Sequence, residues 1–414
     1  MKQRYDSYKP SGIDWIGDIP SHWKLSKIKF IGEIRGRIGF RGYTTADLVS
    51  EGEGALTIGG KHISNNVIDL TAPEYISWDK YYESPEIMVS KGDIVIAQRG
   101  TLKRTAYISK NIGPATINPS LVLLTNIKIN PKYLHSYLCS NATTEFIDYL
   151  NTATAVPMIS QNQIENIRII EPPLAEQEAI AAWLDKKCEE IDAAIAKVDR
   201  EIELIDELKQ SEISRVVTRG LNPDAPLRPS GIDWIGDVPE HWEIDSFKRC
   251  MRINNGCDYK HVVADEGYPV IGSGGQFAYA ISYLYDGEVL LLGRKGTIDR
   301  PMYFVGKFWT VDTMFYAVPN KDVCCKYMYY QALGFPFDYY STSTALPSMT
   351  ANDLANNPIA VPPLPEQQAI ADYLDKQCAE IDGLKAKLTK KRETLTELRQ
   401  SIISEVVTGK RKVI

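Results

Sequence analysis

Cationic side chains gather at two turns of the 414-residue chain, and each turn contains a Gly-Thr pair. Residues 91–110 carry five Lys or Arg side chains against a single acid, Asp93. Arginine beside glutamine or threonine can donate hydrogen bonds to phosphates or to guanine edges, and glutamine can pair with adenine. A solvated hairpin tip is the ordinary alternative, but matching positions in both halves favour DNA binding. The predicted DNA-binding residues are Gln98, Arg99, Thr101, Lys103, Arg104, Arg294, Lys295, Thr297 and Arg300, with Lys61 and Gln276 from two other glycine-containing turns.

Four polar stretches are weaker candidates for the same surface. They are Lys61-His62, Thr152–Thr154, Ser273–Gln276 and Ser341–Thr344.

No catalytic constellation accompanies these turns. GALTIGGKH (54–62) resembles a phosphate-binding loop, but Gly60 stands where the lysine belongs and no Ser or Thr follows Lys61. IGSGGQ (271–276) lacks a dinucleotide-binding fingerprint, and residues 118–120 fail two positions of the amino-methyltransferase Asn-Pro-Pro-aromatic motif. The five histidines never approach metal-ligand spacing. The sequence therefore predicts no catalytic residue, no metal site and no cofactor of this chain.

Composition is compatible with a folded DNA-binding protein of two to four domains. Seven cysteines without a CxxC pair favour reduced thiols in the cytoplasm, and no apolar run is long enough to predict a membrane span. The formal charge of −6 comes mostly from residues 172–219, which hold 12 acidic and 7 basic side chains. A basic surface can therefore lie elsewhere on the molecule.

The chain is a tandem duplication. Its repeats are SGIDWIGDIPSHW (11–23) with SGIDWIGDVPEHW (230–242), PPLAEQEAIAAWLDKKCEEID (172–192) with PPLPEQQAIADYLDKQCAEID (362–382), and LKQSEISRVVT (208–218) with LRQSIISEVVT (398–408). The offset between copies is 219 residues for the first of these repeats and 190 for the other two, so the second variable middle is 29 residues shorter. The opening phrase mixes Trp15, Ile16, Ile19 and Trp23 with turn residues, which predicts an anchored loop at a domain entrance.

Each variable middle predicts a mixed α/β domain. KGDIVIAQRGTLKRTAYI (91–108) and DGEVLLLGRKGTIDRPMYF (286–304) each indicate a strand, a basic glycine turn and a second strand. From the Gly-Thr pair onward the two copies align residue for residue, with one extra residue before the second turn. Residues 219–231 are a Pro/Gly-rich linker.

Each constant end predicts a long helix that follows Pro-Pro. Apolar residues recur every three or four positions from Leu184 to Ile205, and Leu208, Ile213 and Val216 continue the pattern with a stutter. The second copy repeats the stripe from Leu374 to Val406. Because neither helix could bury such a stripe alone, the sequence predicts a coiled coil rather than two ordinary core helices. The predicted domains are 1–171 and 221–361, followed by spacer helices at 172–220 and 362–414.

The chain resembles the specificity subunit of type I restriction–modification enzymes. The resemblance spans essentially the whole chain in the family's order. It is carried by the paired SGIDWIGD phrases, the Arg/Lys-Gly-Thr hairpins, TAVPMIS and TALPSMT (from 154 and 344), and above all PPLAEQ and PPLPEQ at the helix starts.

This resemblance implies two tandem α/β target-recognition domains, each recognising half of a bipartite DNA site. It implies an antiparallel coiled coil that sets the gap between half-sites and docks two methyltransferase subunits, with restriction subunits bound through them. S-adenosylmethionine, ATP and magnesium would belong to those partners, so the chain itself would be a non-catalytic DNA-recognition subunit.

Two other classes compete with this interpretation. The first is a self-contained nuclease or methyltransferase, which S-adenosylmethionine binding by the purified chain alone would indicate. The second is a coiled-coil scaffold without DNA, which salt-dependent DNA binding would exclude because phosphate contacts release counterions.

Overall fold

The computed structural model describes residues 3–37, 39, 42–150, 157–340 and 347–413. The chain divides into two compact units, Met1–Lys197 with Lys391–Ile414, and Val198–Lys390. Each unit therefore contains one α/β domain together with a segment of both long helices.

The first half of the chain is built mainly of short strands. They are β1 (Tyr8–Pro10), β2 (Asp18–Pro20), β3 (Lys24–Lys27), β4 (Glu33–Gly36), β5 (Leu48–Val49), β6 (Gly54–Ile58), β7 (Ile63–Ser64), β8 (Val67–Ile68), β9 (Tyr75–Ser77), β10 (Ile94–Ala97), β11 (Thr105–Tyr107), β12 (Ala115–Ile117), β13 (Leu121–Thr125) and β14 (Arg168–Glu171). The helices are α1 (Ile28–Ile31), α2 (Trp78–Tyr82), α3 (Pro131–Leu138), α4 (Asn141–Leu150), α5 (Gln161–Glu165) and α6 (Leu174–Arg219).

The second half of the chain has fewer but longer strands. They are β15 (Leu227–Pro229), β16 (Asp237–Pro239), β17 (Glu243–Ser246), β18 (Met251–Asn255), β19 (Val263–Ala264), β20 (Tyr268–Gly272), β21 (Gly275–Ala280), β22 (Tyr285–Gly293), β23 (Met302–Thr310), β24 (Met314–Pro319) and β25 (Pro358–Val361). The helices are α7 (Phe247–Cys250), α8 (Cys325–Ala332), α9 (Phe337–Tyr340), α10 (Ala351–Asn356) and α11 (Leu364–Val407).

Two four-stranded sheets form the domain of the first unit, in the orders β11-β10-β13-β4 and β12-β6-β9-β5. Every residue of β10 is buried, because the strand contributes to two cores. Ile94 and Ile96 pack into the core that contains the helices, whereas Val95 and Ala97 point into a second core with Ile58. A strand buried on both faces carries apolar residues at every position, rather than alternating apolar and polar residues.

One seven-stranded sheet, in the order β18-β24-β22-β23-β20-β21-β19, replaces these two sheets in the second unit. Its strand β22 repeats the double burial of β10. Leu290 and Leu292 enter the core that contains the helices, and Val289 and Leu291 enter the other core. The mixed α/β domains that the sequence predicts are therefore present, but their sheets differ.

The long helices begin directly after the two Pro-Pro pairs, and they extend over 46 residues in α6 and 44 residues in α11. A glycine with positive φ lies just beyond each helix, 72° at Gly220 directly after α6 and 74° at Gly409, which Thr408 separates from α11. This left-handed conformation ends a helix and is accessible to glycine at little cost.

Segments of the two helices are antiparallel in both units. In the first unit, Asp192 pairs with Arg399 at 2.8 Å and Arg411 lies over the ring of Trp183. In the second unit, Asp206 pairs with Lys385 and Lys209 pairs with Asp382, both at 2.7 Å. In each unit, residues further along α6 contact residues that come earlier in α11. The two helices therefore run in opposite directions, which confirms the predicted antiparallel coiled coil.

The predicted apolar seam is buried or half-buried along both helices and wrong at three positions. Leu184, Val198 and Val406 are buried. The seam residues that are exposed instead are Leu208, Leu384 and Leu398. An α-helix of 3.6 residues per turn drifts away from a strict heptad, and near the end of α11 the buried face passes to Ile402 and Ile403.

The root of each domain is a two-stranded antiparallel pair, β3 with β14 and β17 with β25. A buried tyrosine hydroxyl ties each root to a long helix. Tyr133 donates to the carbonyl of Ile170 at 2.7 Å and lies 3.4 Å from that of Val407. Tyr327 makes the equivalent contacts with Ala360 at 2.8 Å and Val217 at 3.3 Å. Desolvation raises the pKa of both tyrosines well above the usual value.

The opening phrase is an anchored loop, as predicted, except at one residue. Ile16, Ile19 and Trp23 are buried, but Trp15 is exposed. The indole N–H of Trp23 donates to Glu176 at 2.9 Å, which links the loop to the Pro-Pro-Leu-x-Glu-Gln motif at the start of α6. No helix within the described ranges is long and apolar enough to cross a membrane.

Candidate nucleic-acid interface

The first basic turn connects β10 to β11, and backbone hydrogen bonds hold its base. The N–H groups of Gln98 and Arg99 donate to the carbonyl of Ser120 at 2.9 and 3.3 Å. The N–H of Gly100 donates to the carbonyl of Pro157 at 3.0 Å. The N–H of Ile159 donates to the carbonyl of Gln98 at 2.9 Å, so three separate segments meet at this turn.

The second basic turn repeats these four hydrogen bonds. The N–H groups of Arg294 and Lys295 donate to the carbonyl of Thr313 at 2.8 and 3.3 Å. The other two bonds join Gly296 N–H to Pro347 at 2.9 Å and Met349 N–H to Arg294 at 3.0 Å. We call these eight bonds the hairpin frame.

The glycine of each frame is required by the backbone. Gly100 and Gly296 have φ angles of 78° and 83°, in the left-handed region where a side chain causes strain. The duplicated Gly-Thr pair therefore places the side chains on both sides of each glycine with the same backbone geometry.

Side chains of the first turn differ in how freely they can meet a ligand. Arg99 and Thr101 are exposed. The Gln98 amide donates to the carbonyl of Pro119 at 3.0 Å, so pairing with adenine would require exchange of that bond. Lys103 has a φ of 70° and pairs with Asp148 at 2.6 Å.

Arg104 joins the first turn to the weaker candidate Lys61. Its guanidinium Nη1 donates to the carbonyl of Gly60 at 2.9 Å, and the N–H of Gly60 donates to Ser120 Oγ at 3.3 Å. Lys61 follows directly and pairs with Glu74 at 2.6 Å. The structure therefore brings two stretches together that lie about forty residues apart in sequence.

The second turn has its own distribution of cations. Lys295 and Arg300 are exposed and Thr297 is half-buried. Arg294 lies over the Phe315 ring at 5.8 Å and donates to the carbonyl of Asp312 at 3.4 Å.

Gln276 is linked to this second turn only indirectly, through the sheet. It is exposed on β21, opposite Ile271. The carbonyl of Ile271 accepts from Thr310 Oγ1 at 2.8 Å, and Thr310 is three residues before the Thr313 of the hairpin frame.

Charge is least compensated at three of the predicted residues. Within the described ranges, Arg99, Lys295 and Arg300 make no ion pair, whereas Lys61 and Lys103 are paired with carboxylates. Exposed ion pairs contribute little and exchange readily for a phosphate. The three unpaired cations are therefore the ones that an anionic ligand could contact without first displacing a carboxylate.

Sequence reasoning missed the residues that hold the turns. They are Ser120 and Thr313, whose carbonyls accept two bonds each, and Pro157 and Pro347. The repeated TAVP and TALP stretches carry the signal for the two prolines. Thr152–Thr154 and Ser341–Thr344 lie outside the described residues.

A buried arginine was also missed. Arg37 donates to Thr116 Oγ1 at 3.2 Å and lies over the Tyr43 ring at 5.3 Å. Burial lowers the pKa of its guanidinium, and its hydrogen bonds to Thr116 and Ile117 of β12 indicate a structural role. No group of three His, Cys, Asp or Glu side chains within the described residues could hold a metal ion.

Comparisons with known proteins agree on one family. The family profile described as type I restriction modification DNA specificity domain matches residues 20–204 and 244–391. The chain is similar to the MjaX type I restriction enzyme specificity subunit of Methanocaldococcus jannaschii, at 23% identity over 96% of both chains. It is also similar to the MjaVIII specificity subunit of that organism, at 22% identity over 79% of this chain and 81% of the other.

A solved structure shares the fold. It comes from work on complex assembly and conformational transition of the type I R-M system. The match has a TM-score of 0.71 at 17% identity and covers 94% of this chain and 99% of the other. Two tandem α/β domains with a paired set of long helices are therefore the shared architecture.

Proposed function

We propose, on the premise that this chain belongs to the family of type I restriction modification DNA specificity domains, that each α/β domain recognises one half of a bipartite site in double-stranded DNA. The chain is a type I restriction–modification DNA specificity subunit with two target-recognition domains. It acts in a complex with other subunits of such a system.

The observation that carries the half-site proposal is the duplicated hairpin frame. The same four backbone bonds present a basic turn in two domains whose sheets differ. A ligand with two related parts, such as two segments of one duplex, suits a surface that occurs twice. Arg99 in the first turn, and Lys295 and Arg300 in the second, would contact bases or phosphates.

We assign the catalytic steps to partner subunits. Two methyltransferase subunits would dock on this chain and restriction subunits would bind through them. S-adenosylmethionine, ATP and magnesium would be cofactors of those partners. We also assign the complex to the cytoplasm, and the seven unpaired cysteines of this chain support a reducing compartment.

The long helices would set the gap between half-sites. A helix rises about 1.5 Å per residue and DNA about 3.4 Å per base pair, so helix length converts directly into base pairs. The antiparallel ion pairs within each unit support helices that run side by side in that unit.

The decisive experiment maps methylated bases genome-wide in cells with and without this chain and its partners. We expect one bipartite motif to lose methylation when the chain is deleted. In vitro, DNA methylation should require both the methyltransferase subunit and this chain, and DNA binding should weaken steeply with salt. Methyl transfer by the highly purified chain alone would contradict the proposal.

A further inference from the structure

A cysteine and a histidine lie together at the end of α3 in the first unit, and the proposed function uses neither. Cys139 is buried, and its Sγ lies 3.5 Å from Nε2 of His135, one helical turn earlier. The thiol also lies 3.7 Å from the hydroxyl of Thr105, whose carbonyl oxygen is 3.5 Å from the same imidazole nitrogen. We call these three residues the thiol cluster.

The surroundings of the thiol cluster favour its ionised form. Burial by itself would raise the pKa of the Cys139 thiol, but its neighbours lower that pKa overall. The largest of these opposing effects comes from the His135 imidazole, and smaller ones come from Thr105 and Arg399. Burial by itself would lower the pKa of His135, but the thiol and the Thr105 carbonyl raise it overall. Thiolate and imidazolium therefore stabilise each other, and the thiolate is the nucleophilic form of cysteine.

The second unit repeats the surrounding frame but lacks the pair. In both units a glutamine of a long helix donates to the backbone carbonyl at this position, to Cys139 at 2.7 Å and to Leu333 at 3.1 Å. Tyr329 occupies the position equivalent to His135. Because the second domain folds with leucine and tyrosine at these positions, the fold does not require a cysteine beside a histidine there.

The other cysteines lie in different environments. Cys188 of α6 packs against the same core and is half-buried, but burial raises the pKa of its thiol. Burial also raises the pKa of Cys250 to about 11 and that of Cys325 to about 12. Cys257 is exposed. Reactivity that depended on exposure alone would favour Cys257, whereas reactivity that depended on ionisation would favour Cys139.

The thiol cluster contacts the strand that leaves the first basic turn. Thr105 is the first residue of β11, and it directly follows Arg104, whose guanidinium donates to the carbonyl of Gly60. An oxygen atom added to the sulfur would need space in a packed interior and a hydrogen-bond partner of its own. Because Thr105 lies against the sulfur, the resulting displacement would fall on the start of β11 and on the turn before it.

We propose that Cys139 is a peroxide-reactive thiol, and that its oxidation to a sulfenic acid weakens the DNA contacts of the first basic turn. In this reaction the thiolate sulfur attacks one oxygen of hydrogen peroxide, an S–O bond forms and the O–O bond breaks. The leaving hydroxide takes the proton of the His135 imidazolium and becomes water, so the sulfur loses two electrons and the peroxide gains them. The DNA part of this inference rests on the proposed function, whereas the reaction of the thiol does not.

The first test locates the oxidised cysteine. The whole chain is exposed to a brief pulse of hydrogen peroxide, unfolded in dimedone, which captures sulfenic acids, and analysed by peptide mass spectrometry. Cys139 should carry most of the adduct, with less on Cys188 and Cys257. An adduct formed mainly at Cys257 would overturn the inference.

Variants of the pair test whether the histidine activates the thiol. His135→Tyr, which reproduces the second unit, and His135→Gln, which removes the positive charge, should each slow adduct formation at Cys139 by about tenfold. Cys188→Ser is the matched control, because it removes a thiol from the same core, and it should leave the rate at Cys139 unchanged. A rate that is the same in both His135 variants as in the wild type would also overturn the inference.

The second test measures DNA affinity before and after the peroxide pulse. Oxidation should weaken binding to the methylated motif about tenfold, which corresponds to the loss of roughly one base or phosphate contact, and a thiol reductant should restore it. The effect should be absent in Cys139→Ser and on a duplex altered in the half-site of the first domain. A sulfenic acid at Cys139 with unchanged DNA affinity would overturn the inference and leave the proposed function standing. An unoxidised chain that binds no DNA would instead overturn the proposed function.

Discussion

The two units hold their basic turns in the same way but build different sheets to carry them. The first uses two four-stranded sheets and the second a single seven-stranded sheet. The hairpin frame nevertheless differs by no more than 0.1 Å in any of its four bond lengths. The side chains at the turns differ more, with Gln98 in one and Arg294 in the other at equivalent bonds.

This contrast shows which part of each domain is free to change. The roots, the two SGIDWIGD loops and the hairpin frame are duplicated, whereas the sheet edges and the side chains at the turns differ between the two domains. If the tips contact DNA as we propose, recognition of a different half-site would require changes at the tips, and the frame would tolerate them because its bonds involve backbone atoms.

The largest effect should come from exchanging one domain. Residues 24–171 begin and end on the paired strands β3 and β14, where Lys24 faces Glu171. A matching segment from a related subunit therefore brings its own closed root. We expect one half of the methylated motif to change completely and the other half to remain, as mapped by sequencing of methylated bases. A chimera that altered both halves would contradict independent domains.

Lengthening both helices should alter the gap and spare the half-sites. One heptad inserted after Val198 and one after Leu388 adds about 10 Å to each helix and preserves the apolar register. The gap should widen by about three base pairs, which also rotates one half-site by roughly a third of a turn and should weaken binding. The methylated motif of the variant measures the gap. Full activity on the original gap would show that the helices do not determine it.

Removing one unpaired cation should affect one half-site only. Arg99→Ala and Lys295→Ala should each cost about 1–3 kcal/mol of DNA binding and relax selectivity in one half, if the side chain contacts a base. If it contacts only phosphate, affinity should fall for all sequences and the salt slope should fall by about one. Titration of duplexes altered in one half-site separates these outcomes. Unchanged affinity in both variants would remove the turns from the interface.

The smallest expected effect is a difference in unfolding free energy between two substitutions, one at the tyrosine of each root. In the second unit Gln331 Nε2 also donates to Val217 and Ala360, at 2.8 and 3.1 Å, so those carbonyls stay bonded in Tyr327→Phe. The counterpart of Gln331 in the first unit is Tyr137, whose buried hydroxyl interacts with the backbone of Ile170 but makes no hydrogen bond of normal geometry. Tyr133→Phe should therefore cost about 1.5 kcal/mol of unfolding free energy and Tyr327→Phe about 0.5 kcal/mol.

Urea unfolding monitored separately for each unit measures this difference. Equal losses in the two variants would show that Gln331 does not compensate. DNA specificity should be unaffected in both, because neither hydroxyl lies near a basic turn.

The sequence by itself determined the duplication, the long helices and the two basic turns. Each depends on local or periodic patterns: Pro-Pro before a heptad stripe, and a Gly-Thr pair after an apolar strand. The pairing of the two helices followed because two apolar stripes in one chain can cover each other, whereas its antiparallel sense was implied by the family resemblance. The DNA-binding residues predicted at these turns remain predictions, and the structure ranks them by their charge partners.

Only the tertiary structure decided which of those side chains are free and which are held. Arg104 and Lys103 look equivalent to Arg99 in the sequence, but a carbonyl from Gly60 and the carboxylate of Asp148 engage them. Partners of this kind come from segments distant in sequence, and no local pattern encodes them. The exposure of Trp15 was hidden for the same reason, since burial depends on what packs against a residue and not on how apolar it is.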